Sequence, residues 1–149
     1  MTDFALTRSL HTSDIEVLKM EVSRVWASKA LQGQHPMRQW EYALALYAVG
    51  QWWPLGIPAD IRLLDVGGGG SHFHKLIGAY VLDPVDPTAT FQMTLGTYVR
   101  TVRTPADVVC CLSVLEHVDD LQGFLEDLAE IVAPGGLLVL TMDACDDYV

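Results

Sequence analysis

Asp65, Gly67, Gly68 and Gly69 stand close together in LLDVGGGGSHFHKL, residues 63–76, where an apolar run ends in one acid and four consecutive glycines. A strand that ends this way and then enters a helix sets bare backbone N–H groups at a helix N-terminus, where a ligand can approach the main chain. Two ligand classes use such a loop, and the spacing separates them. A dinucleotide fingerprint needs Gly-x-Gly-x-x-Gly, but counted from Gly67 the last position is His72, and from Gly68 it is Phe73. Neither frame is complete, so a nicotinamide-dependent oxidoreductase is the least favoured of the readings kept open.

Three further stretches follow in order. AYVLDP ends a second apolar run on Asp83; ADVVCCLSVLEHVDD (106–120) opens on Asp107 and passes through Leu112, Ser113, Glu116 and His117; LAEIVAPGGLLVLTMD (128–143) sets Pro134-Gly135-Gly136 between two apolar segments. Together with Asp65-Val-Gly67-Gly-Gly69, these stretches resemble, in family order over residues 61–143, the motifs of the class I S-adenosylmethionine-dependent methyltransferases. The resemblance implies a Rossmann-like core that binds S-adenosyl-L-methionine. Gly67, Gly68 and Gly69 would lie against the amino acid end of that cofactor, with Asp65 orienting the loop and the cofactor's amino group. Asp83 would accept hydrogen bonds from the ribose, and Leu112 and Ser113 would lie beside the cofactor at a strand's carboxyl end.

The resemblance also implies methyl transfer by in-line displacement, in which the leaving thioether needs no acid and positioning supplies much of the rate. A base is needed only for an acceptor protonated at its reacting atom. His117 is the first candidate, followed by Glu116, His72 and His74. His72 and His74 are two apart and would point to different faces of a helix, so no metal site is expected. Cys110, Cys111 and Cys145 form neither a paired framework nor a metal-ligand spacing, and read as reduced and mostly buried. The acids of the closing DACDDYV read as a solvated tail. Trp52 and Trp53 read as packing residues, with an acceptor pocket as the alternative.

A net charge of −10 argues against a grip on a phosphate backbone, so nucleic acid is not an expected partner. No apolar stretch approaches the ~20 residues of a membrane span. The first residues lack a signal-peptide pattern, so the expected setting is cytoplasmic.

The elements that must position these residues divide near residue 55. Residues 1–55 read as an N-terminal helical lid or arm, and 56–149 as the S-adenosylmethionine-binding core of one structural unit. In the arm, Ser13 with Glu16 forms a capping box for a helix from about 14 to 29 with Ile15, Leu18, Val22, Val25 and Trp26 on one face. A second helix is predicted from Pro36 to Val49, with Trp40, Ala43, Leu44 and Tyr47 buried and Gly50 ending it. In the core, 61–66, 79–83, 106–114 and 135–143 read as strands, and 121–133 as an amphipathic helix through Leu121, Phe124, Leu125, Leu128 and Ile131. Pro84 to Thr104 reads as one strand or a hairpin, with the helix between parallel strands short or absent. Strands apolar on both faces and joined by helices predict an α/β, mostly parallel sheet with helices on both faces.

Two departures from the family pattern bear on function. The chain stops after the fifth strand of that pattern, which would leave a sheet edge open to a partner chain or a second copy. TYVRTVRTPAD supplies no clear adenine contact. The leading expectation is methyl transfer to a small-molecule acceptor under a lid of N-terminal helices. The alternative is a non-catalytic methyltransferase-like module with a structural or regulatory role through a partner or oligomer.

Overall fold

The computed structural model describes residues 19–20, 22–25, 27–28, 35–53, 58–70 and 73–142. Helix α1 (Pro36–Trp52) precedes strand β1 (Leu63–Val66), and a single-turn helix α2 (His74–Ile77) leads to β2 (Tyr80–Leu82). Helix α3 (Leu95–Thr101) leads to β3 (Ala106–Leu112), a 3-10 turn (Leu115–His117), helix α4 (Leu121–Ile131) and β4 (Val132–Thr141). The sheet order is β2-β1-β3-β4 with every pair parallel, and Leu64 of β1 stands opposite Tyr80 on one side and Val109 on the other. Among the described residues no helix is long and apolar enough to cross a membrane.

Alternation along the strands builds two cores. Leu63, Val108, Cys110 and Val139 pack with Tyr42, Leu46 and Val49 of α1 on one face. Leu64, Val109 and Cys111 pack with Tyr98 of α3 and Leu128 and Ile131 of α4 on the other. Each such fully buried aliphatic side chain contributes about 1.5–3 kcal/mol of burial free energy. The predicted Rossmann-like α/β class therefore holds. Among the described residues the sheet has four strands, and an isolated bridge joins Leu82 to Phe91.

Several expected boundaries move. Of the first predicted helix, positions 19–20, 22–25 and 27 are helical with Val22 and Val25 buried, while Ser13, Ile15, Glu16, Leu18 and Trp26 lie outside the described residues. Helix α1 runs through Gly50 to Trp52, because a glycine in a helix costs only about 1 kcal/mol and Trp53 still closes the helix on the Val49 carbonyl. Ala43 is buried as expected, but Trp40 and Leu44 are exposed; the buried stripe is Tyr42, Ala43, Ala45, Leu46 and Val49. The run YALALYAV is apolar nearly all round, so spacing alone did not select the face that meets the sheet.

Between Pro84 and Thr104 the chain forms α3 instead of a strand or hairpin. The Thr94 hydroxyl caps it by accepting the Thr97 N–H, and Leu95, Tyr98 and Val99 face the core. Strand β3 stops at Leu112, because Ser113 turns to φ +50°. Strand β4 begins at Val132, and Pro134-Gly135-Gly136 lies inside it as a bulge: Val132 pairs with Ala106, but Leu137 already pairs with Val108. Gly135 has φ +77°, and a side chain on Gly136 would come within 2.8 Å of the Asp107 carbonyl. Asp107 itself ties β3 to the start of β1, its carboxylate accepting the Arg62 N–H at 2.8 Å.

Leu121 and Leu125 of α4 are exposed and Leu128 is fully buried, which narrows the predicted apolar face. Leu128→Ala is expected to cost about 2–5 kcal/mol in chemical denaturation, and Leu121→Ala at most about 0.5 kcal/mol. Equal costs would mean that α4 is seated on a different face.

Candidate functional site

The chain leaves β1 for β2 on one side and later crosses to β3 on the other. In open parallel sheets the crevice outside the carboxyl ends at such a reversal is where ligands bind. Here the carboxyl ends of the strands lead into the glycine loop after β1, Asp83 after β2, and Ser113 and Val114 after β3.

The glycines are required first by the chain's own side chains. Gly67 has φ +74°, and a Cβ there would lie 2.5 Å from Val114 Cγ2, so the ends of β1 and β3 touch at this point. A Cβ on Gly68 would overlap the Asp65 carboxylate, and one on Gly69 would overlap Asp86 and lie 2.8 Å from Asp83 Oδ2. Gly70 has open space around its Cα. Ser71 and His72 lie outside the described residues.

Asp83 is 7% exposed. Its Oδ2 accepts the Gly69 N–H at 3.2 Å, and its Oδ1 accepts the N–H groups of Val85 and Asp86 at 2.8 and 3.1 Å. The Gly67 N–H donates to the Leu82 carbonyl at 2.8 Å, so the loop is sewn to the end of β2 at two points. Asp65 is 1% exposed, and its Oδ2 has no hydrogen-bond partner among the described residues. Burial pushes its carboxyl from 3.8 up to about 7; the His74 backbone N–H opposes this in part, and the nearby Asp83 charge adds to it. Asp65, Gly67, Gly68, Gly69 and Asp83 thus meet at one rim.

Ser113, 7% exposed, holds its left-handed backbone with several partners. Its N–H donates to the carbonyl and the Oγ1 of Thr141, both at 3.1 Å, and its Oγ donates to Glu41 Oε1 at 2.6 Å. Thr141 Oγ1 donates to the same Glu41 oxygen, and Arg38 pairs with Oε2 at 2.9 Å. Sequence reasoning missed Glu41 and Thr141; the one available signal was that Glu41 is the single acid of α1. Leu112, the last residue of β3, is partly buried.

The remaining candidates are less engaged. His117 and Glu116 are exposed on the turn beyond β3, and His74 begins α2. Among the described residues no group of three His, Cys, Asp or Glu side chains could hold a metal ion. Cys110 and Cys111 are buried free thiols, and burial with the Asp65 charge pushes both up, Cys111 to about 12, so neither is an activated nucleophile. Cys145 and the acidic tail lie outside the described residues. Trp53 packs against the α1 side of the sheet, while Trp52 is exposed.

A parallel sheet with a side-chain-free loop at its reversal point defines the Rossmann-like class. The chain belongs, more narrowly, to a methyltransferase-domain family, whose profile matches residues 38–148. It is similar to the ubiquinone biosynthesis O-methyltransferase of Photorhabdus laumondii, at 31% identity over 78 residues, covering 52% of this chain and 31% of that protein. It is also similar to the protein of the same name from Rhodopseudomonas palustris, at 33% identity over 102 residues, covering 55% of this chain and 39% of that protein. The aligned region spans less than half the length of either relative.

Gly68→Ala is expected to cost about 1–3 kcal/mol, and Gly70→Ala at most about 0.5 kcal/mol, read from denaturation midpoints. Asp65 sets a pH dependence of opposite sign to that of a salt-bridged acid. Its folded value lies above its unfolded one, so stability present below pH 3.8 is lost as pH rises to about 7 and changes no further above it. Asp65→Asn should remove that slope, gaining about 2–4 kcal/mol on the wild type between pH 4 and 8. Parallel stability curves for the two proteins would exclude a buried, protonatable Asp65.

Proposed function

We propose that this chain binds S-adenosylmethionine in the crevice between β1 and β3 and transfers its methyl group to a small-molecule acceptor. The observation that carries the reading is the juxtaposition of the bare Gly67–Gly69 shelf with Asp83 at the sheet's reversal point. Asp83 retains acceptor capacity beyond the Gly69 N–H on Oδ2, which suits a ribose hydroxyl. The unpartnered Oδ2 of Asp65 and the neighbouring carboxylates of Asp83 and Asp86 suit a ligand carrying positive charge. These features fit the cofactor, and the family membership supports it.

S-adenosylmethionine would supply a methyl group on an electrophilic sulfonium. The chain's part is to bind and orient. The loop positions the amino acid end, Asp83 the ribose, and Leu112 and Ser113 the wall beside them. His117, on the turn beyond β3, is the group proposed to accept a proton from the acceptor. The relatives' names bring an oxygen atom into the proposal as the atom methylated. A second reading, a non-catalytic module held by a partner, is favoured by β4, the outer strand of the described sheet, with Leu140 and Met142 exposed beside it.

Calorimetric titration with S-adenosylhomocysteine tests the site. The wild type should bind saturably, and Asp83→Ala, checked for folding by circular dichroism, should lose at least about tenfold in affinity. Absence of binding by the folded wild type would overturn the cofactor reading. Binding without turnover on a panel of hydroxylated acceptors would favour the second.

A further inference from the structure

We infer that Glu41 is a positioning residue that clamps helix α1 onto the carboxyl ends of β3 and β4 and so holds Ser113 in place beside the proposed cofactor. The inference rests on the proposed cofactor site and adds to it a part of the chain outside the recognised motifs. The bonds from Ser113 and Thr141 to Glu41 span 72 and 100 residues of sequence, so they form only when α1 is docked. One carboxylate oxygen takes both hydroxyls while the other pairs with Arg38, and the side chain is 12% exposed. Its charge strengthens each bond it accepts.

The residue it holds is the strained one. Ser113 has φ +50°, a conformation that residues other than glycine keep only where their surroundings over-determine it, and such residues gather at functional sites. Thr141 fixes its N–H, and Glu41 fixes its hydroxyl. The next residue, Val114, is the side chain against which Gly67 packs. Contacts therefore run without a gap from α1 through Glu41, Ser113 and Val114 to the glycine loop. The wall of the cofactor crevice is complete only while the arm is docked.

The test is S-adenosylhomocysteine affinity across a mutant cycle in the whole chain. Glu41→Ala and Ser113→Ala should each weaken binding about tenfold, and the double variant should be no weaker than the worse single one, because Glu41 acts through Ser113. Glu41→Gln should stay within about threefold of wild type, since its amide oxygen still accepts both hydroxyls. Leu46→Ala removes a core side chain from the same helix without touching the clamp. It lowers stability, and below its melting range it should bind within about twofold of wild type. Wild-type affinity in Glu41→Ala, losses that multiply in the double variant, or an equal loss in Leu46→Ala would each overturn the inference. If the wild type itself does not bind, the cofactor reading fails and amide exchange decides the clamp: residues 42–49 should exchange at least about tenfold faster in Glu41→Ala. Unchanged exchange there would overturn it.

Discussion

Parallel strands cannot be joined by tight turns, and a parallel sheet that is apolar on both faces must be covered on both. In this chain the crossovers between strands cover one face, and a helix ahead of β1 covers the other. Helix α1 covers the face of Leu63, Val108 and Val139, and α3 with α4 covers the face of Leu64, Val109 and Cys111. Because all four strands run the same way, their carboxyl ends share one rim. That rim holds the glycines, Asp83, Ser113 and the last residue of β4, Thr141. The site is a consequence of strand direction before any residue on it is chosen.

What distinguishes this rim is how its acids are held. Asp83 is held by three backbone N–H groups. Glu41 is satisfied by two hydroxyls and a guanidinium. Asp65 lies under Gly68 with one oxygen unpartnered among the described residues, and burial makes ionisation costly there. The glycines follow from these acids, since Gly68 and Gly69 leave only the space that Asp65, Asp83 and Asp86 already occupy. A loop read from sequence as a ligand's landing place is also the lid over a buried carboxylate, and both roles exclude a side chain.

The core was legible where the pattern had one interpretation. LLDV, VVCCL and LLVLT are short, β-rich and apolar on both faces, and they formed β1, β3 and β4. The pattern was ambiguous where more than one face or period fitted. Apolar residues nearly encircle α1, so its buried stripe depended on what it met. TYVRTV has the β-branched and aromatic content of a strand, yet the Thr94 cap and the packing of Leu95, Tyr98 and Val99 made it a helix. Asp65, Gly67, Gly68, Gly69 and Asp83 could be placed together in advance because each is tied to a strand end. Glu41 could not, because its partners lie 72 and 100 residues away.

The sequence by itself determined the α/β class, the approximate places of four strands and the family resemblance, because hydrophobic period and a loop without side chains are local properties. Only the tertiary structure decided which face of α1 is buried and which carboxylate oxygen lacks a partner among the described residues. It alone decided that Glu41 of α1 reaches across to the ends of β3 and β4. Those outcomes depend on which groups meet after the sheet closes, and pairwise geometry between distant residues leaves no trace in the spacing of either one.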